Sequence, residues 1–240
     1  MRILTTLRPV SLALIAMGLI AASMLIVAPF VTNLTNPGRF QTALPRLPWG
    51  GDDASVESAG ATLPGVFIYQ QQRSLSCEYA SLLIATGMLG RPVSEYAFDD
   101  LVPASDNPHW GYRGDIEGEW GNTDDYGVYP EPLAEALTAV GFSGEIIYGG
   151  RDDLTRELEL GRPTVVWLGM WGDGGSFDAY ADDGTRYQLT TGMHVMVAYG
   201  YDETGVYLTD PGMAVLRHYD WPTFESMWAV MDGMGLSVRA

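Results

Sequence analysis

The 240-residue chain contains no lysine. Its 13 basic residues are all arginine, set against 30 aspartates and glutamates for a formal net charge of −17. Arg2 and Arg8 precede every acidic residue, so beyond residue 31 eleven arginines oppose thirty acids, a balance of −19. A surface of that sign repels phosphate backbones, and no nucleic-acid partner is expected. Cysteine is nearly absent as well: Cys77 stands alone, which excludes an internal disulfide and points to a reactive thiol or an intermolecular bridge. Three histidines, His109, His194 and His218, form no Cys/His cluster of the kind zinc requires. The acidic loops at 173–178 and 182–184 lack the ligand spacing of an EF-hand and read as solvated loops. There is no Walker-type phosphate loop and no repeat at solenoid spacing. No metal or cofactor is expected. Hydrophobic residues make up 47% of the chain, which excludes a disordered acidic tail.

One long apolar run is present. Val10 to Val31 carries no charge over 22 residues and follows Arg2 and Arg8. A bilayer span needs about 20 residues, whereas the core of a signal peptide needs about 7–15. Residues 1–31 therefore read as a signal anchor that holds the rest of the chain outside the cytoplasmic membrane. The small residues Ala21-Ala22-Ser23 and Ala28 leave a cleaved signal peptide, and hence secretion, as the alternative. Residues 32–62, rich in proline, glycine, serine and aspartate, read as a flexible linker. Asn33-Leu34-Thr35 within it matches a glycosylation sequon. Residues 63–240 are long enough for one sizeable core.

Within that domain the period changes once. Ser76 is a plausible N-cap for an apolar helix from Cys77 to Met88, closed by Gly90-Arg91-Pro92. A Gly/Asp/Trp-rich stretch from Asp99 to Tyr129 reads as loop. Pro130 to Val140 and Asp152 to Leu160 read as helices, the second capped by Asp152. After Pro163 come strand patterns at 164–168, 194–199, 206–209, 215–219 and 236–239, with a short helix at 222–228. The turn residues from Gly200 to Gly205 make a hairpin of the strands on either side. Helices first and an antiparallel sheet second predict an α+β domain.

Four polar residues stand out against this frame. Cys77 opens a helix, where the exposed amides favour thiolate; the bland reading is a buried structural cysteine. His194 begins an apolar strand, where a histidine needs a polar partner. Asp210 lies sixteen residues later, where antiparallel pairing brings it beside the imidazole to fix its tautomer. Asp202 is a rival in the hairpin tip, and Asp210-Pro211-Gly212 is also an ordinary turn signal. Gln71, six residues before Cys77 and flanked by Gln70 and Gln72, is placed to donate to an oxyanion together with the Cys77 N–H. His109 and His218 have no attached motif and read as structural or solvent-facing.

In order and spacing the chain resembles the bacteriocin-processing, double-glycine-leader cysteine peptidases, specifically their stand-alone peptidase-like branch. The matching pieces are Ser74-Leu75-Ser76-Cys77-Glu78, Asn107-Pro108-His109-Trp110-Gly111-Tyr112, Tyr126-Gly127-Val128-Tyr129, Gly161-Arg162-Pro163-Thr164-Val165-Val166-Trp167 and the His194 and Asp210 motifs. They cover roughly residues 66–232. The resemblance implies a papain-like fold and a peptide or protein substrate. It implies Cys77 as nucleophile, His194 as base, Asp210 as its orienter and Gln71 as oxyanion donor. The transporter-fused members usually carry glycine after the cysteine, where this chain has Glu78, and the transporter segments are missing. Two other functions share the same residues: a cell-wall peptide amidase or acyltransferase, and a catalytically silent peptide-binding module.

Overall fold

The computed structural model describes residues 60–240. The expected membrane segment at 1–31, the sequon at Asn33 and nearly all of the expected linker lie outside the described residues. Among the described residues, no helix is long and apolar enough to cross a membrane.

The described residues begin with β1 (Gly60–Thr62) and enter α1 (Cys77–Met88) after an extended segment. Irregular chain leads to α2 (Pro130–Ala139), β2 (Ser143–Tyr148), α3 (Arg151–Glu159) and β3 (Thr164–Gly169). A two-stranded hairpin, β4 (Ser176–Tyr180) and β5 (Arg186–Thr190), is followed by β6 (Met193–Asp202), β7 (Gly205–Asp210) and β8 (Val215–Asp220). Finally come α4 (Trp221–Ala229) and β9 (Met234–Arg239). The main sheet runs β2-β9-β3-β6-β7-β8, with β1 also pairing β6, and every pairing in it is antiparallel.

Alternation along the central strands explains the layering. Val165 and Trp167 of β3 and Val195 and Val197 of β6 join a cluster with Tyr79, Leu82, Leu133 and Leu137 of α1 and α2. Val166 and Leu168, with Met196 and Ala198, join Leu154, Leu158, Phe224 and Trp228 of α3 and α4. Both faces of β3 and β6 are thus covered, which is why these strands read as near-continuous apolar runs. The domain is a mixed fold in which helices flank an antiparallel sheet.

Several local expectations need correction. Ser76 precedes α1, but its side chain makes no cap bond. Its hydroxyl instead reaches the Arg73 carbonyl and the Glu95 carboxylate. At α3 the first-turn bond comes from Asp153, which accepts the Gly150 N–H, and not from Asp152. β1, inside the expected linker, pairs with the far end of β6, Ala61 opposite Tyr201. β2, β4 and β5 were not expected, and β4 begins inside the first acidic loop. Their short, mixed sequences carry no clean period of two; pairing with β9 or with each other supplies what local pattern does not.

Candidate active site

The segment before α1 is held by buried charge. Glu95 is fully buried and accepts hydrogen bonds from the Gln72 N–H and the Ser76 hydroxyl, each at 3.3 Å. Arg73, itself buried, pairs with Glu95 at 3.5 Å and with Asp99 at 2.7 Å. The Tyr112 hydroxyl donates to the Leu75 carbonyl. The Gln71 N–H donates to the Pro211 carbonyl at 2.9 Å, tying this segment to the turn after β7. These bonds fix the chain's entry into the helix, and so fix where Cys77 stands.

His194 and Asp210 are brought together by neighbouring strands. The β6–β7 ladder ends at Val197 opposite Thr209, and Asp210 is the next residue. Its Oδ1 lies 2.8 Å from His194 Nε2 and also accepts the Gly212 N–H at 2.9 Å. Its Oδ2 accepts from Arg217 Nε of β8 at 2.7 Å. Burial by itself would raise this carboxyl. The His194 hydrogen bond and charge, with those of Arg217, outweigh burial and hold it down to about 2. An ionised carboxylate only accepts, so the shared proton sits on His194 Nε2.

Cys77, His194 and Asp210 line one cleft of about 690 Å³. Gln70, Gln71 and Gln72 also line it, as do the apolar side chains of Trp120, Met170, Trp171 and Met213. Trp120 and Trp171 meet edge to face at 5.0 Å, and Trp120 Nε1 donates to the Met193 carbonyl. Trp171 lies against Gly192, whose φ of +72° suits glycine and where a Cβ would sit 2.5 Å from the indole. The cleft therefore has a polar chemical centre and an apolar lining.

Two observations qualify the expected chemistry. Gln71 Nε2 donates to the carbonyls of Arg73 at 2.9 Å and Ser74 at 2.8 Å, so both amide hydrogens are spent inside the turn. The Cys77 thiol, expected to be depressed at the helix start, is pushed well above its usual value. Burial is the main cause and the adjacent Glu78 carboxylate the next, while the Val195 and Glu78 backbone groups pull the other way.

The remaining candidates lie elsewhere. Asp202 is occupied by Thr204, Gly205 and Tyr207 at the hairpin tip, with His218 at 3.8 Å. His109 pairs with Glu131 at 3.0 Å against Tyr129, lining a separate pocket. Among the described residues no group of three or more His, Cys, Asp or Glu side chains is arranged to hold a metal. Sequence reasoning missed Arg217 and the Arg73–Glu95 pair. An arginine in the alternating strand after Asp210 was the available signal for the first; the second joins residues 22 apart and has no local signature.

Comparison with known proteins gives the chain a family and a fold. The model of the family described as "Peptidase_C39 like family" matches residues 65–236. A crystal structure of a candidate C39-like peptidase from Bacillus anthracis superposes with a TM-score of 0.62 at 22% identity. That alignment covers 75% of this chain and 98% of the other, and the likeness is one of fold. The peptidase domain of Streptococcus ComA, a bifunctional ABC transporter of a quorum-sensing pathway, aligns at 16% identity with a TM-score of 0.45. It covers 72% of this chain and 98% of that domain. No curated protein matches the chain.

Proposed function

Because the chain belongs to the Peptidase C39-like family, we propose that it is a papain-like cysteine peptidase, tethered outside the cytoplasmic membrane, with Cys77 as nucleophile. One observation carries this reading: Cys77 at a helix start and the His194–Asp210 pair on the facing sheet line the same cleft. The Cys77 proton passes to His194 Nδ1, giving a thiolate and an imidazolium. The thiolate attacks the peptide carbonyl carbon, and the carbonyl π electrons move to oxygen. The imidazolium then protonates the departing amine, leaving a thioester. Water, giving its proton to His194, attacks the thioester and releases the acid, and the thiol is restored.

Asp210 keeps the imidazole in the tautomer this sequence needs. The Cys77 N–H, a first-turn amide with no acceptor inside its own helix, faces the developing oxyanion. Gln71 joins it by giving up one of its two bonds within the turn. The Trp120, Trp171, Met170 and Met213 lining suits an apolar substrate side chain beside the scissile bond. The uncharged run from Val10 to Val31 and its preceding arginines support the tether, with a cleaved signal peptide as the alternative.

The test uses the full-length protein. Iodoacetamide should label Cys77 faster than a free cysteine at about pH 6, and His194→Ala should slow the labelling. A mixed peptide library read by mass spectrometry should show cleavage that Cys77→Ala abolishes. Protease shaving of intact cells should remove the domain. An unreactive Cys77 in folded protein assigns the cleft to peptide binding alone. Turnover confined to cell-wall peptides assigns it to an amidase or acyltransferase.

A further inference from the structure

Glu78 follows the nucleophile directly, and its whole side chain is buried. Its Oε2 lies 3.3 Å from Cys77 Sγ, and its Oε1 accepts the Val128 N–H at 3.0 Å. The recess that takes the carboxyl is built by a glycine. At Gly127, φ is +134° and a Cβ would lie 2.0 Å from Glu78 Oε1. The same loop is clamped on both sides. The Val128 carbonyl accepts from Trp167 Nε1 at 3.0 Å, and the Tyr126 and Tyr129 hydroxyls meet at 2.9 Å. The Tyr126-Gly127-Val128-Tyr129 motif, which the catalytic groups leave unexplained, is thus the seat of this one carboxyl.

Resting on the peptidase reading above, we infer that Glu78 works in its protonated form, donating a hydrogen bond to the Cys77 thiolate, and that its ionisation switches the nucleophile off. A neutral carboxyl 3.3 Å from sulfur is a donor to a thiolate; a carboxylate there is a like charge. No proton is lost or gained by Glu78 during turnover. The Cys77 proton still goes to His194 Nδ1, and the Glu78 proton stays on Oε2 as a bridge to sulfur.

Among the described residues, no cation is found to hold Glu78 ionised. The groups facing it are Cys77 and the phenols of Tyr79, Tyr112 and Tyr126, together with the Val128 amide. Arg73, which acts on Tyr79 and Tyr112, is already paired with Glu95 and Asp99. His194 Nε2 is taken by Asp210. Burial accordingly raises the Glu78 carboxyl to about 7, against the pull of backbone and Cys77 hydrogen bonds. Protonating Glu78 removes the second cause of the raised Cys77 thiol, the adjacent carboxylate charge, and leaves burial as the first. The difficulty that the thiol poses for the proposed chemistry is thereby reduced from within the site.

The experiment is the pH dependence of iodoacetamide alkylation of the full-length protein, wild type against Glu78→Gln. The amide donates to sulfur and accepts from Val128 at every pH, so it mimics the protonated acid permanently. The wild-type rate should fall as pH rises through about 7, and the variant should lack that fall. The ratio of variant to wild type should grow about tenfold between mildly acid and mildly alkaline pH. A ratio constant with pH, or a variant slower throughout, overturns the inference. His194→Ala is the control: if it slows labelling while Glu78→Gln merely overlays the wild type, Glu78 alone is misassigned. Indifference to His194 overturns the peptidase reading itself. Should Glu78→Gln fail to fold, infrared titration of the wild type decides. The buried carboxyl stretch should vanish near pH 7 and shift when Cys77 is alkylated; no such band refutes the inference.

Discussion

Two buried carboxyls, one bonded to His194 and one beside Cys77, behave in opposite ways. Asp210 and Glu78 are 1% and 0% exposed, yet the first is held at about 2 and the second raised to about 7. Burial raises both. The difference lies in their partners: Asp210 has His194 and Arg217 on separate oxygens, while Glu78 has a thiol and one amide. Partnership, and not depth, decides which acid is ionised at neutral pH. Asp210 stays ionised at neutral pH, while Glu78 titrates close to it.

The strongest way to break the contrast is at Asp210. Asp210→Asn keeps the shape but removes the charge and permits the wrong imidazole tautomer. Peptide cleavage by this variant should fall by about 10⁴-fold, measured as kcat. If it retains wild-type turnover, His194 needs no orienter and the contrast has no catalytic meaning.

Gln71→Ala comes next. Loss of one oxyanion donor costs about 10²–10³ in kcat. Because both Gln71 amide hydrogens are engaged within the turn, the loss should sit at or below the lower end of that range. A loss limited to KM would remove Gln71 from the oxyanion site.

Stability sharpens the contrast through its sign. The folded-state value of Glu78, about 7, lies above its ordinary 4.5. Its contribution is therefore fully present below about 4.5 and is lost as pH rises through about 7, by roughly 3 kcal/mol. Asp210 runs the other way: its contribution is present above 3.8 and is lost as pH falls through about 2. Urea melts should show wild-type stability declining from about pH 4.5 to 7, with Glu78→Gln lacking that decline. Parallel curves for the two proteins would contradict the Glu78 environment described here.

The smallest effect belongs to Arg217. Its side chain is 35% exposed, and its pair with Asp210 is partly screened by solvent. Arg217→Ala should reduce turnover by less than about tenfold, with a modest rise in the Asp210 carboxyl visible by NMR titration. A loss as large as that of Asp210→Asn would make Arg217 an equal partner.

Much of the site was legible because its residues carry strong local signals. A lone cysteine at a polar-to-apolar junction, a histidine opening an apolar strand and an aspartate closing the next are visible in one dimension. Arg217 was half visible, as a charged residue in an alternating strand. Glu78 was visible only as the residue standing where transporter-fused members usually carry glycine, since nothing local reveals that Gly127 and Val128, about fifty residues on, enclose it. The Trp120 and Trp171 lining was hidden for the same reason: tryptophans among glycines read as surface until the fold brings them together along a cleft.

The sequence by itself determined where helices and central strands lie, because apolar period, Gly and Pro act over a few residues. It likewise determined the order of Cys77, His194 and Asp210 and the charge that repels phosphate. Only the tertiary structure decided that β1, β2, β4 and β5 are strands, since pairing partners supply their hydrogen bonds. It alone decided that Asp210 meets both His194 and Arg217, and that Glu78 is shut away with a thiol. Ionisation depends on desolvation and on charges within a few ångströms, and those neighbours come from distant parts of the chain.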